Sequence, residues 1–232
     1  MRPSFDVPPN GDVYAGPELF VGIIAAIGTD IDPLLGCLRQ SLERVRYRSH
    51  PIDLMSLLPR SPEAKGAGWF EEGRQFRAQV GSKGALAWLA MRAIEEERRR
   101  RSQAGYRVAF IISTLKTPEE VNAFREVYGR SFIAIGVYAS KEERRHRLRA
   151  VGQSEEEVEA LLRAEEGEPE KPYGQNLEAT FPLADFFVEA QENDLHRQVQ
   201  RFVELLFGNL FHAPTRDEYG MFHAVSAGLR ST

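Results

Sequence analysis

The most constraining feature of the sequence is a strand pattern that runs into a glycine turn and is followed by a helix pattern. Residues 19–27 form an apolar run typical of a buried parallel strand, and residues 33–45 place their leucines on one helical face. A glycine turn between such elements directs backbone N–H groups and a helix N-terminus at one point, which suits a phosphate. The pattern therefore predicts a nucleotide- or phosphate-binding loop with the residues Gly22, Gly28, Thr29 and Asp30.

This loop departs from the standard phosphate-binding pattern G-x-x-x-x-G-K-[ST]. Five residues separate Gly22 from Gly28, and Thr29-Asp30 replaces the lysine and the following Ser or Thr. The cation that contacts the β- and γ-phosphates is therefore missing, and Asp30 adds a negative charge, which Mg²⁺ bridged by Thr29 and Asp30 can offset. Two interpretations stay open: a loop that binds nucleotide with Mg²⁺, or a tight strand–helix turn that binds nothing.

Strand patterns and helix patterns alternate along the chain, which predicts a three-layer α/β fold with a parallel sheet of about five strands. One long helical stretch is expected at residues 70–102, and residues 18–210 are expected to form a single domain. Capping boxes, in which a Ser or Thr side chain and a later Glu satisfy the first backbone N–H groups, predict four further helix starts. The capping residues are Thr117, Ser140, Ser154 and Thr215, and the further strands are predicted at 52–58, 106–112, 132–138 and 184–190.

Composition allows a large folded core, since 42% of the 232 residues are hydrophobic. The net charge of −4 gives no general attraction to nucleic acid, so no DNA partner is expected. The single cysteine, Cys37, rules out an internal disulfide and a cysteine-rich zinc site. No apolar stretch approaches the roughly 18 residues of a membrane helix, and residues 1–17 are expected to be a flexible tail and not a signal peptide. We therefore expect a cytoplasmic protein without a membrane partner.

Several basic residues are candidates for phosphate contacts, because ligands of parallel sheets bind at the carboxyl ends of the strands. Lys116 comes just after the predicted strand 106–112, beyond the short segment 113–115. The alternative interpretation is an ordinary exposed loop lysine. Arg77 and Lys83 near the start of the long helical stretch are candidates for a second phosphate site, or else surface charges. Arg144 and Arg147 lie on an arginine-rich helix that resembles a lid over phosphates, and a solvated helix face is the alternative.

Three blocks in the second half of the chain carry a resemblance. They are residues 173–185 (YGQNLEATFPLAD), 202–209 (FVELLFGN) and 214–222 (PTRDEYGMF). In this order they resemble the bacterial anti-phage dCTP (deoxycytidylate) deaminases, and the segments 28–30 and 114–121 agree with that likeness. The resemblance covers about residues 18–230. It implies a P-loop, nucleotide-kinase-like domain, which in that family is followed by a zinc-dependent deaminase domain.

The zinc-binding segments of such a deaminase are absent from this sequence. The chain has neither an H-x-E or C-x-E segment nor a P-C-x-x-C pair, so we expect no zinc and no deaminase catalysis in this chain. The resemblance implies that residues 211–232 begin a truncated deaminase domain, and that the deaminase domain follows in cis or is a separate partner. The apolar stripe of this segment, and the family's character as an assembling enzyme, lead us to expect a homo-oligomer. The stripe consists of Met221, Phe222, Val225 and Leu229.

Three classes of function remain at this point. The first is a nucleotide-binding regulatory domain of an antiviral deaminase. The second is a nucleoside or nucleotide kinase with an atypical loop, against which the missing lysine argues. The third is a catalytically inert assembly module, against which Lys83, Lys116 and the arginines of the lid-like helix argue.

Overall fold

The computed structural model describes residues 17–58, 68–100, 107–190, 194–208 and 211–230. At its centre is one five-stranded sheet in which all paired strands are parallel. The strands are β1 (Leu19–Ala25), β2 (Tyr47–Asp53), β3 (Arg107–Leu115), β4 (Phe132–Tyr138) and β5 (Phe186–Glu189). Their order across the sheet is β2-β3-β1-β4-β5, which places β1 in the middle.

Helices cover both faces of the sheet. They are α1 (Asp32–Arg44), α2 (Gly68–Val80), α3 (Ala85–Arg100), α4 (Pro118–Tyr128), α5 (Lys141–Ala150), α6 (Glu155–Gly167), α7 (Leu177–Thr180), α8 (Leu195–Leu206) and α9 (Arg216–Gly228). Short 3₁₀ turns lie at Leu54–Leu57, Gly129–Ser131, Glu168–Glu170 and Phe181–Leu183. Apolar residues of α1 and α8 pack on one face, and those of α3 and α4 pack on the other. The predicted three-layer parallel sheet of five strands, with a C-terminal helical extension, is therefore confirmed.

Two element predictions are wrong in detail. The second strand is Tyr47–Asp53 and not 52–58, because this edge strand is half exposed and its sequence carries no apolar run. The stretch predicted as one helix at 70–102 contains two helices up to Arg100, since Gly81 adopts a positive φ of 73° and ends the first of them; residues 101 and 102 lie outside the described ranges. The hydroxyl of Ser82 then accepts the N–H of Gly84 just before α3 begins. The four predicted capping boxes are all present, each ahead of the helix it was expected to start.

A bulge in β3 lies near the carboxyl ends of the strands, next to the candidate loop. The register between β1 and β3 shifts between Gly22 and Ile24, and Thr114 opposite this shift has a φ of 57°. Bulges bend a strand and change the direction of the residues that follow them. The bulge thus sets the path of Leu115 and Lys116 at the carboxyl end of the strand.

The C-terminal extension touches the domain through few groups. Helix α9 has no buried residue, and Arg201 of α8 binds the carboxylate of Glu218 (Nη1–Oε1 2.6 Å). The predicted tail lies outside the described residues except for Pro17, whose carbonyl accepts the hydroxyl of Tyr47. None of the described helices is both long enough and apolar enough to cross a bilayer.

Candidate functional site

The loop after β1 is in close contact with helix α5. Gly28 has a φ of 81°, and a Cβ atom built there would lie 2.8 Å from the carbonyl oxygen of Arg144 and 3.0 Å from Cγ of Leu148. Both the backbone conformation and the space therefore require glycine. The loop closes with a turn in which the N–H of Thr29 donates to the carbonyl of Ala26 at 3.1 Å.

Lys116 brings a cation to this loop from the end of β3. Its Nζ donates to the carbonyl oxygen of Ala25 at 2.6 Å, at the last residue of β1. The same Nζ binds Oε1 of Glu165 at 2.9 Å, and the side chain is only 12% exposed. The interpretation of Lys116 as an ordinary exposed loop lysine does not fit this position.

Glu165 of α6 is the point at which three donors converge. Its Oε1 accepts the backbone N–H of Ile27 and the ammonium of Lys116, each at 2.9 Å, and its Oε2 accepts Nη1 of Arg144 at 2.9 Å. The Glu165 side chain is 8% exposed. One loop N–H and two cations from different elements thus surround a single carboxylate. This is the pattern by which proteins bind an anion.

Arg77 fixes the segment after β3 through the side chain of Glu120. It is fully buried, and its Nη2 and Nε donate to Oε1 of Glu120 at 2.8 and 3.2 Å. The other oxygen, Oε2, accepts the backbone N–H groups of Lys116 (2.7 Å) and Thr117 (3.3 Å). Arg77 therefore fixes the loop that carries Lys116, and its charge is balanced by Glu120.

Of the remaining predicted site residues, Arg147 lies beside the loop and Gly22 does not. Arg147 lies beside the loop, where its Nη2 is 3.3 Å from Oδ1 of Asp30, so the negative charge of Asp30 is partly balanced. Gly22 lies inside β1, and a Cβ there would come within 2.6 Å of Leu115 and 2.8 Å of the Phe132 ring. It therefore serves packing of the sheet and is not brought to the loop.

Lys83 also stays apart from the convergence point. It lies in the turn between α2 and α3, and its carbonyl accepts the hydroxyl of Thr117 at 3.1 Å. That contact ties the turn to the start of α4. The structure thus brings together Gly28, Thr29, Asp30, Lys116, Arg144 and Arg147, and places Arg77 next to them.

Helices α5 and α6 form a unit that covers the loop. Arg145 donates twice to Oε1 of Glu159, at 2.8 and 2.6 Å, and this hydrogen bonding lowers the pKa of the Glu159 carboxyl. Lys141 binds Glu166 at 2.7 Å and lowers the pKa of that carboxyl in the same way. These exposed pairs contribute little stability one by one, but they set how α6 presents Glu165 to the loop.

A cavity of about 320 Å³ opens beside the convergence point. It lies between the loop, the end of β2, the start of α2 and the end of β3. Its lining residues are Ala26, Ile27, Gly28, Thr29, Asp53, Met55, Phe70, Glu72, Arg77, Leu86, Thr114, Lys116 and Gln175.

Gln175 reaches this cavity because the segment before α7 is tightly fixed. A Cβ at Gly174 would lie 1.9 Å from the carbonyl oxygen of Glu168, so only glycine allows this approach. The N–H of Gln175 donates to Oε2 of the buried Glu168 at 3.3 Å. The next residue, Asn176, donates its N–H to the carbonyl of Lys116 at 2.9 Å. The YGQN block of the sequence therefore closes one side of the site.

Sequence reasoning missed Glu165, Glu120, Gln175 and Asp53 as site residues. A signal for Glu165 was present: it follows Val158, Leu161 and Leu162 at the spacing of one helical face, and all three are buried. A carboxylate at the next position of an apolar face must be paired, because an isolated buried charge is strongly unfavourable. Glu120 is the acidic residue of the capping box at Thr117, and that local role gives no sign of its contact with Arg77.

Within the described ranges, no three His, Cys, Asp or Glu side chains are grouped so that they could hold a metal ion. The expectation that this chain binds no zinc stays a prediction. For a nucleotide-bound Mg²⁺, Thr29 Oγ1 and the Asp30 carboxylate are hard oxygen ligands of the kind that the ion prefers. Thr29 Oγ1 is buried and has no hydrogen-bond partner among the residues that the structure describes, which leaves it available for such a contact.

The sequence matches no known protein family and no curated protein. The fold resembles those of several solved structures. One is the Thermus thermophilus protein TT1252, which is 20% identical and has a TM-score of 0.45. The match covers 84% of this chain and 99% of that chain. A gluconokinase from Sinorhizobium meliloti 1021 has 13% identity, coverage of 84% and 96% and a TM-score of 0.47. A shikimate kinase from Bacteroides thetaiotaomicron has 15% identity, coverage of 82% and 98% and a TM-score of 0.43. At these identities and TM-scores the likeness does not assign a function, so the chemistry must be argued from the site itself.

Proposed function

We propose that this chain is the nucleotide-binding regulatory domain of a bacterial anti-phage dCTP/dCMP deaminase, working in the cytoplasm on nucleotide and not on DNA. The observation that carries nucleotide binding is the convergence of the Ile27 N–H, Lys116 and Arg144 on one anion at the end of β1. The deaminase context is supported by the sequence blocks at 173–185, 202–209 and 214–222.

The anion at the convergence point is at present the carboxylate of Glu165. A phosphate carries charge of the same sign and accepts the same donors, so it competes with Glu165 for this place. Lys116 supplies from the end of β3 the cation that the loop itself lacks. Binding of phosphate therefore requires the Glu165 side chain to leave, which couples ligand binding to the position of α6. Such coupling is what a regulatory domain needs.

The negative charge of Asp30 is less of an obstacle than the sequence indicates. Arg147 lies 3.3 Å from Asp30 and 3.4 Å from Asp32, so the two carboxylates share one guanidinium. A Mg²⁺ ion carried by the nucleotide would be held by Thr29 Oγ1 and Asp30. It would neutralise charge on the phosphates.

Lys116 provides the test of nucleotide binding. A charge-assisted hydrogen bond contributes roughly 1.5–3 kcal/mol, so Lys116→Ala should weaken dCTP binding about tenfold or more in a calorimetric titration. Arg99→Ala is the matched control, because its side chain is 77% exposed and, among the residues that the structure describes, pairs with Glu95 on the same helix. Equal and negligible effects of both changes would leave the loop as a turn and favour the assembly module.

An active kinase is the second candidate, and the cavity beside the loop favours it because a phosphoryl acceptor needs such a place. The regulatory function predicts no phosphoryl transfer from ATP to any deoxynucleoside or deoxynucleotide of a panel. Formation of ADP that depends on one of these acceptors, and that Lys116→Ala abolishes, would establish the kinase instead.

We propose further that helix α9 docks on a second copy of the chain and on the deaminase domain, present in cis or as a separate partner. Its apolar stripe is exposed, with Phe222 at 65% and Leu229 at 74%. Soluble domains rarely leave such a continuous stripe uncovered. Light scattering should give a dimer or larger oligomer, and Phe222→Glu should reduce it to a monomer. Val151→Glu, at an exposed residue after α5, should leave the oligomer intact, and a monomeric wild-type chain would contradict the proposal.

A further inference from the structure

We infer that the cavity beside the loop binds the uncharged nucleoside part of the ligand whose phosphates occupy the Glu165 position. This inference rests on the proposed nucleotide binding and adds a second subsite to it. The cavity adjoins the convergence point, since Ile27 and Lys116 line it as well as contacting Glu165. One ligand can therefore span both places.

Unpaired polar atoms in the wall of the cavity carry the inference. Five buried side-chain polar atoms have no hydrogen-bond partner in the part of the chain that the structure describes. Three of them belong to residues that line this one cavity: Thr29 Oγ1, which a nucleotide-bound Mg²⁺ would use, and Arg77 Nη1 and Gln175 Oε1, which are left for the nucleoside part. Arg77 is fully buried and Gln175 is 6% exposed. Buried polar groups without partners are rare and unfavourable, and their concentration here indicates a place for a polar ligand.

The chemistry of these atoms defines the class of ligand. Arg77 Nη1 can only donate and Gln175 Oε1 can only accept, so the ligand must carry both an acceptor and a donor. Asp53 also lines the cavity, and its negative charge disfavours a second phosphate there. A nucleobase or a sugar meets this requirement, and a further anion does not.

The apolar part of the wall fits the same ligand. Met55, Phe70 and Leu86 contribute carbon surface next to the polar atoms. The volume of about 320 Å³ is at the lower end of the range for small-molecule pockets. The cavity thus combines carbon surface with several polar and charged side chains, which suits a small organic molecule that carries polar groups.

A ligand-binding role of Gln175 differs measurably from a structural one. Its Oε1 has no hydrogen-bond partner within the described part of the chain, so removing this oxygen takes away no hydrogen bond seen there. Replacing an unpaired buried polar atom by an apolar atom of similar size is neutral or stabilising. Gln175→Met should therefore leave the unfolding temperature unchanged or raise it, while it weakens the ligand.

Calorimetric titrations of the full chain with inorganic tripolyphosphate and with the four deoxynucleoside triphosphates test the inference. We expect at least one nucleotide to bind about tenfold or more tightly than tripolyphosphate. Gln175→Met should weaken that nucleotide about three- to tenfold, the worth of one neutral hydrogen bond, and leave tripolyphosphate unchanged. The control is Gln75→Met, because the Gln75 amide donates to Glu71 on the surface of α2 and has no other hydrogen bond within the described ranges.

The outcomes separate this inference from the proposed function. If tripolyphosphate binds and no nucleotide binds more tightly, or if Gln175→Met weakens both ligands equally, the nucleoside subsite is refuted and the phosphate site stands. Binding of neither probe refutes both. If one base is preferred, the cavity recognises the base, and equal affinity for all four nucleotides assigns the recognition to the sugar.

Discussion

The buried pair of Arg77 and Glu120 allows a quantitative prediction about the loop that carries Lys116. Both side chains are fully buried, and Glu120 also accepts the backbone N–H groups of Lys116 and Thr117. Arg77→Met removes the cation and leaves a buried carboxylate without its partner. Breaking a buried ion pair in this way costs about 3–5 kcal/mol of unfolding free energy. In a domain of this size each kcal/mol corresponds to roughly 2–4 °C, so the melting temperature should fall by about 6–20 °C.

A double variant shows whether the loss comes from the unpaired charge. Glu120→Gln removes the charge and keeps an oxygen that can accept a backbone N–H, so Arg77→Met/Glu120→Gln should recover much of the stability that Arg77→Met loses. Urea unfolding followed by circular dichroism measures all three proteins. The exposed Arg99→Met should change the free energy by less than about 0.5 kcal/mol. A loss below about 1 kcal/mol for Arg77→Met, or a double variant no more stable than that single one, would refute the reasoning.

Three further predictions concern the loop, α9 and zinc. Gly28→Ala should destabilise the fold by about 2 kcal/mol or more, because it combines a positive φ with a contact to the α5 backbone. Gly36 lies inside α1, where a Cβ would meet no described atom within 4 Å beyond its own helix backbone and chain neighbours, so Gly36→Ala should stabilise by about 0.5–1 kcal/mol; urea midpoints compare the two variants. Arg201 holds the pKa of Glu218 at about 2, below its usual 4.5, so this contact is fully present above pH 4.5 and is lost as the pH falls toward 2. The protection factors of the α9 amides, which are corrected for the intrinsic pH dependence of hydrogen exchange, should fall over that window, and Arg201→Met should remove this fall. The purified chain should hold no stoichiometric zinc in a metal analysis and form no deoxyuridine product from dCTP, and one zinc per chain would contradict this.

Most of the fold was predictable because the central strands are buried on both faces. The seven residues of β1 are all buried, so the strand reads as a continuous apolar run. The capping boxes at Thr117 and Ser140 are local signals that do not depend on the rest of the fold. The edge strand β2 was misplaced for the opposite reason, since its exposed side chains are polar and the apolar residues after Asp53 form a 3₁₀ turn.

The site was predictable only in part, because its groups meet across long sequence distances. The loop and Lys116 were found since each directly follows a buried strand. Glu165 lies 138 residues from Ile27 and 49 from Lys116, and no local pattern reports those contacts. The carboxylate of Asp30 appeared unfavourable in the sequence because its partner Arg147 is on a helix far along the chain.

The central claim is that Glu165 occupies a place built for a phosphate. Calorimetric titration of Glu165→Gln with inorganic tripolyphosphate tests it most directly, because this change keeps an acceptor for the Ile27 N–H and removes the competing charge beside Lys116. The matched control is Glu166→Gln. Glu166 is the next residue along the chain, its side chain is 59% exposed, and in the described structure it binds only Lys141. The account predicts that Glu165→Gln binds tripolyphosphate about tenfold or more tightly than the wild type and that the control does not. Unchanged or weaker binding by Glu165→Gln would contradict it.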